Sequence, residues 1–254
     1  MNRHSHFVAS GELHARAAAV VKRKEPGEGS PDDANPGGVR SAAPFVPRTT
    51  SLRALAAAAN GCRGCDLYKT ATQVVFGQGA RKARVLFVGE QPGDQEDLQG
   101  APFVGPAGAL LDKALADAGF TREDVYLTNA VKHFKWEPRG KRRIHKKPRV
   151  SEVKACRPWL DAEVRTVVPE VIVCLGATAA QAILGSQFKL MQQRGRLLSG
   201  PAAASAAARA TATPQVLATI HPSAVLRAPD SEGRRTAYDM LVADLKVVAA
   251  ALRR

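Results

Sequence analysis

One histidine stands inside the densest run of positive charge in this chain, at Lys141-Arg142-Arg143-Ile144-His145. From Lys132 to Arg149 there are nine Lys or Arg and a single acid, Glu137. Such a segment attracts a polyanion, and phosphates are the obvious candidates. An imidazole held there can meet a nucleic-acid strand directly; the same residues also suit a solvated basic loop with a bystander histidine. Glu90 lies in Gly89-Glu90-Gln91-Pro92-Gly93-Asp94, where Gly and Pro shape a tight loop whose N–H groups can face a ligand. Asn129 offers a donor and an acceptor together, the pattern that matches the O4/N3–H edge of a pyrimidine. His221, in His221-Pro222-Ser223, can donate to a carbonyl oxygen as charge builds on it. Each has an ordinary reading too: a helix-capping acid, a turn cap, an imidazole satisfied near a turn.

These residues follow short apolar runs. Val85 to Val88, Val125 to Thr128, Val171 to Leu175 and Val216 to Ile220 read as strands buried on both faces. Helical spacing follows over 105–119, 151–167, 177–184 and 234–252, and the Ala-rich stretch from Leu52 to Asn60 ends at Gly61. Strands alternating with helices imply βαβ units, hence a three-layer α/β/α domain around a central, mainly parallel four-stranded sheet. The loops starting at Gly89, Asn129, Gly176 and His221 then share the carboxyl rim, where active sites of such sheets sit.

The charge is local. Of a net +14, the first fifty residues supply only +2, and the segment from Lys132 to Arg149 supplies +8. Residues 1–48, rich in Pro, Gly and Ser with little apolar periodicity, read as a disordered tail. Residues 49–254 read as one domain, with a flexible Ala/Ser/Thr-rich insertion near 199–213. No run of 18 apolar residues is present, and the N-terminus lacks a signal-peptide pattern, so a cytoplasmic protein with no membrane partner is expected. In a reducing compartment the four cysteines, Cys62, Cys65, Cys156 and Cys174, suggest a metal or cluster rather than disulfides. Their spacing also permits structural zinc, and the apolar run at 171–175 also suits Cys174 as a buried strand thiol.

The motifs GEQPGDQED (89–97), PFVGPAG (102–108), TNAVKHFKW (128–136), KRRIH (141–145), CRPWL (156–160), CLGATAA (174–180) and HPS (221–223) occur in this order. The whole resembles the UdgX-type uracil-DNA glycosylases, a branch related to the iron–sulfur family-four enzymes. The resemblance runs from about Leu52 to Ala249, and it implies a uracil-DNA glycosylase-like fold. It implies that Phe103 stacks on uracil, that Asn129 reads its polar edge, and that Gln91 and Asp94 line the pocket. It implies that His221 stabilises the departing uracil anion, and that His145 attacks C1′ to leave a stable protein–DNA adduct after a single turnover. Glu90 matches the acid that orients or polarises the nucleophile. Lys141, Arg142 and Arg143 would hold the loop against phosphates, and the surrounding positive charge would lower the His145 pKa and keep the ring neutral. Cys62, Cys65, Cys156 and Cys174 match a [4Fe–4S] ligand set. The partner is then uracil-containing DNA bound by a monomer, single strands being the cheaper substrate because flipping costs less. A conventional multiple-turnover glycosylase and a non-catalytic iron–sulfur nucleic-acid-binding module are the competing readings.

Overall fold

The computed structural model describes residues 40–200 and 213–253. Residues 1–39 of the expected tail and 201–212 of the expected insertion lie outside the described residues. Packing onto the domain already involves residues before Thr49: Ala42 is buried, and its N–H donates to the carbonyl of Ala155 at 2.7 Å.

In chain order the first elements are α1 (Leu52–Ala59), β1 (Gln78–Gly79), β2 (Val85–Gly89), α2 (Asp94–Gln99), α3 (Pro106–Ala118) and β3 (Val125–Asn129). A hairpin, β4 (Trp136–Arg139) and β5 (Arg142–His145), precedes α4 (Val150–Val167) and β6 (Val171–Leu175). Then come α5 (Ala177–Leu184), α6 (Leu190–Gln193), β7 (Leu197–Ser199), β8 (Gln215–Thr219), α7 (Pro222–Leu226) and α8 (Ser231–Leu252).

Six strands form one sheet in the order β1-β3-β2-β6-β8-β7. The four central strands run parallel, as the apolar runs imply, and each edge carries a short antiparallel strand that the sequence reading lacks. Alternation along β2 divides the core. Val85 and Phe87 face Leu111, Leu115, Leu241 and Leu245 of α3 and α8; Leu86 and Val88 face Leu160 and Val164 of α4 and Ala180 of α5. The result is a three-layer α/β/α sandwich. Replacing Phe87, fully buried between layers, by alanine costs about 3–5 kcal/mol. A third apolar cluster, with Leu55, Phe76, Val131 and Trp159, packs α1 against α4 and contains Cys62, Cys65 and Cys156.

The parallel register sets the rim. Gly89 pairs with Asn129 and Leu175 with Thr219, so β2, β3, β6 and β8 end together and their loops open on one side. The basic segment is a hairpin rather than a loop. Trp136 pairs with His145 and Arg139 with Arg142, and Gly140 makes the turn at φ 59°.

Candidate active site

A cavity of about 740 Å3 opens at the carboxyl rim, bordered by Glu90, Gln91, Phe103, Asn129, His145 and His221. A larger cavity of about 1050 Å3 lies near the start of β2 and before β6, bordered by Arg81, Arg84, Arg165 and Glu170. None of the expected site residues borders it.

Gly89 lets the cavity floor close. A Cβ there would collide with Oδ1 of Asn129 and Cζ of Phe103, so only glycine allows both side chains over the end of β2. Asn129 is buried, and its side-chain amide has no hydrogen bond to another described residue. Phe103 adopts φ 55°, a left-handed conformation that costs about 1–3 kcal/mol outside glycine. Arg122 holds it there, donating to the carbonyls of Phe103 at 3.0 Å and Pro102 at 2.8 Å. The Phe103 ring lies beside His221, with centroids 6.2 Å apart and planes inclined by 28°.

His221 caps α7. Its Nδ1 accepts the backbone N–H of Ser223 at 3.1 Å and lies 2.8 Å from the Ser223 hydroxyl. A backbone N–H can only donate, so Nδ1 carries the lone pair and the neutral ring keeps its proton on Nε2. Burial, with Arg227 and His145 adding to it, holds the His221 pKa down at about 4. At neutral pH the ring is therefore an uncharged Nε2–H donor.

His145 ends β5 with a half-exposed side chain (48%), and its Nε2 stands 3.6 Å from Oε1 of Glu90. The cavity walls depress its proton affinity below the usual histidine range, chiefly by burial. Glu90 opposes that fall and Arg227 adds to it. The surrounding positive charge expected to lower this pKa thus acts only through Arg227, after burial. Thr178, on the first turn of α5, donates its hydroxyl to Oε2 of Glu90 and so leaves Oε1 toward His145.

Two-stranded hairpins are marginal on their own, and this one is anchored. Arg143 bonds Asp94 at 2.6 Å and Asp97 at 2.5 Å, and its guanidinium lies over the rings of Phe134 and Trp136. Arg143 therefore turns inward, and its assignment to DNA phosphate is corrected. Asp94 does not border the cavity; it anchors the hairpin. Gln91 does border it, but its amide is spent on the hairpin's foot, donating to Lys135 O at 3.2 Å and Lys146 O at 2.9 Å and accepting from Lys135 N at 3.1 Å. Lys141 and Arg142 remain exposed at the turn.

The positive surface is smaller than the composition implies. Lys132 is fully buried against Glu163 at 2.5 Å, and Lys135 and Lys146 pair with Glu152 and Glu137. With Arg143 also paired, Arg139, Lys141, Arg142, Lys147 and Arg149 remain without an ion-pair partner among the described residues.

The cysteines divide three to one. Cys62, Cys65 and Cys156 border one small cavity with His133, Lys132 and Trp159. Cys174 lies in β6 between Val88 and Ala218, packed with Leu86 and Leu160 in a different core cluster. Its assignment as fourth ligand is corrected; it is the buried strand thiol that the apolar run also allows. Among the described residues no three such side chains close on one point as a single metal ion requires. A four-iron cluster takes one donor on each iron instead.

A family model for the uracil DNA glycosylase superfamily matches residues 76–246. The chain belongs to that superfamily. It is similar to the type-4 uracil-DNA glycosylase of Thermotoga maritima, 38% identical over 175 residues, which are 68% of this chain and 82% of that protein. The type-4 enzyme of Pyrobaculum aerophilum is 38% identical over 173 residues, 68% of this chain and 83% of that one. That of Archaeoglobus fulgidus is 49% identical over 122 residues, 48% of this chain and 58% of its own length. The cavity of this glycosylase-superfamily chain thus lies where its α/β/α sheet places it, at the strand ends. The sequence reading misses Thr178, Ser223 and Arg227. Thr178 and Ser223 sit in quoted motifs that follow β6 and β8, so their rim position was the available signal; Arg227 carries none.

Proposed function

We propose that the protein is a uracil-DNA glycosylase that excises uracil and ends joined to C1′ of the abasic sugar through His145. The observation that carries this reading is Nε2 of His145 3.6 Å from Glu90, on the cavity that Phe103, Asn129 and His221 also border. A flipped uracil stacks on Phe103, and Asn129 pairs with its O4/N3–H edge. Cytosine presents the opposite donor pattern and leaves the buried amide mispaired.

The C1′–N1 bond breaks with its electron pair on the base. Asn129 takes O4, so the remaining carbonyl, O2, falls to the Nε2–H of His221, which stabilises the anion as it forms. The lone pair on Nε2 of His145 bonds to C1′, and the imidazole becomes cationic. Glu90 balances that charge, and the remaining ring proton leaves to solvent. The uracil anion takes a proton from water and departs, leaving a neutral alkylated imidazole with no easy route back.

Cys62, Cys65 and Cys156 would hold an iron–sulfur cluster. The residues fit: three thiols and an imidazole border one cavity, and the indole N–H of Trp159, buried there, has no hydrogen-bond partner. A buried orphan donor costs about 1–3 kcal/mol, and a cluster sulfur would accept from it. When bound, the cluster would tie the segment after α1, which carries Cys62 and Cys65, to α4, which carries Cys156.

The type-4 relatives favour a second reading, in which water reaches C1′ and the enzyme turns over. A denaturing gel with a single-stranded uracil oligonucleotide separates them. A band stable to detergent and heat supports the adduct, whereas free abasic DNA with turnover supports hydrolysis. His145→Ser is expected to lose the band and keep some uracil release, because water then reaches C1′.

A further inference from the structure

We infer that Lys147 binds one of the two phosphates bonded to the target deoxyuridine, on the hairpin side of the cavity mouth. This rests on the reading above that a uracil-containing strand enters that cavity.

Of the unpaired cations in the basic segment, Lys147 is the one that borders the cavity; Arg139, Lys141, Arg142 and Arg149 do not. The hairpin explains why. Lys146 N donates to Lys135 O at 2.9 Å, so the ladder runs one residue past β5. Side chains alternate across an extended strand. His145 and Lys147 therefore share a face and both border the cavity, whereas the Lys146 ammonium pairs with Glu137 at 2.7 Å, outside it. The backbone that presents Lys147 is held on both sides. Gln91 donates to Lys146 O at 2.9 Å, Pro148 is buried with its φ fixed by the ring, and Arg149 N donates to Glu152 at 2.6 Å. The Lys147 side chain is exposed, a point charge on a fixed root that can follow a phosphate oxygen.

Each side of the target sugar is bonded to a phosphate, through O5′ and O3′. With C1′ at Nε2 of His145 and the base between Phe103, Asn129 and His221, those phosphates stay at the cavity mouth. Entering would strip their water beside the Glu90 carboxylate, which repels them. Two basic side chains other than histidine border the cavity. Arg227, at the end of α7, donates to Ser223 Oγ at 2.9 Å. Lys147 is the one on the His145 side, two residues from the nucleophile, and its ammonium has no partner of its own among the described residues. The contact exists before the glycosidic bond breaks and persists while it breaks. It therefore acts on DNA affinity more than on the chemical step.

The test uses the full chain as wild type, Lys147→Ala, Lys147→Arg and Arg142→Ala, with single-stranded oligonucleotides that carry one uracil. In separate oligonucleotides an uncharged methylphosphonate replaces the phosphate 5′ of the deoxyuridine, the phosphate 3′ of it, or one several nucleotides away. The half-saturating DNA concentration and the saturated single-turnover rate of uracil release are measured for each combination. Lys147→Ala is expected to raise half-saturation about five- to tenfold with a far smaller fall in the saturated rate, and Lys147→Arg to restore most of the affinity. One of the two flanking methylphosphonates should cost wild type and Arg142→Ala a similar factor and cost Lys147→Ala almost nothing, because the cation it would meet is already gone. The distant methylphosphonate should cost all four proteins alike. If both flanking methylphosphonates cost Lys147→Ala as much as wild type, or if Lys147→Ala changes only the saturated rate, the inference is overturned. A wild-type chain that releases no uracil from any oligonucleotide overturns the function proposed above instead.

Discussion

The guanidinium of Arg143 bonds the fully buried carboxylate of Asp97 at 2.5 Å, from a strand that also carries His145 two residues on. The most basic motif in the chain therefore fastens the strand that carries His145 to α2, which follows the first rim loop. Arg143→Ala leaves Asp97 with only the backbone N–H of Thr72 and loosens the hairpin. We expect a loss of about 1–3 kcal/mol in urea unfolding, and at least about tenfold slower adduct formation. Arg142→Ala, at the exposed turn, should weaken DNA binding and leave both nearly unchanged.

Salt dependence counts the free cations. With five unpaired basic residues in the segment, single-strand binding of His145→Ser should follow salt with a log–log slope no steeper than about −4 from this segment. Nine phosphate contacts would give about −6. Lys141→Ala and Arg142→Ala should each flatten the slope by about 0.7, and Arg143→Ala should not.

The pH profile follows from His145. Its folded pKa lies below 6.5, and only the neutral ring attacks. The single-turnover rate should be flat at and above pH 7 and fall as acid protonates the ring. Glu90 raises this pKa, so Glu90→Gln should move the acid limb to lower pH while the plateau drops about 10- to 100-fold. Rapid-quench rates across pH 4.5–9 check both; an acid limb moved upward would contradict the assigned role of Glu90.

Beneath Asn129, the Lys132 ammonium bonds the Asn129 carbonyl at 2.7 Å, the Thr128 hydroxyl at 2.6 Å and Glu163 at 2.5 Å. Lys132→Met strands a buried carboxylate that also accepts from Gly77 N and Tyr126 OH at 3.0 Å. We expect destabilisation of about 3–5 kcal/mol in chemical denaturation, with uracil release reduced in the protein that remains folded.

The central sheet was legible because strands covered on both faces read as unbroken apolar runs, as at Val85–Val88 and Val171–Leu175. The edge strands at Gln78–Gly79 and Leu197–Ser199 were not, being too short to show a period. The hairpin escaped because Arg142 to His145 holds no apolar alternation; side-chain anchors specify it rather than burial. Lys132 was counted with the surface charge because nothing local distinguishes it; Glu163, which buries it, lies on α4. Counting thiols brought Cys174 together with Cys62, Cys65 and Cys156, although β6 buries it in a different core cluster, and His133, which borders their cavity, carries no local signal.

The adduct itself gives the most direct measurement. Full-length protein is mixed with a uracil oligonucleotide, digested with trypsin and nuclease, and mapped by tandem mass spectrometry. The account predicts free uracil in equal amount and a deoxyribose remnant on the imidazole of His145. A remnant on any other side chain, or uracil release with none on the protein, contradicts it.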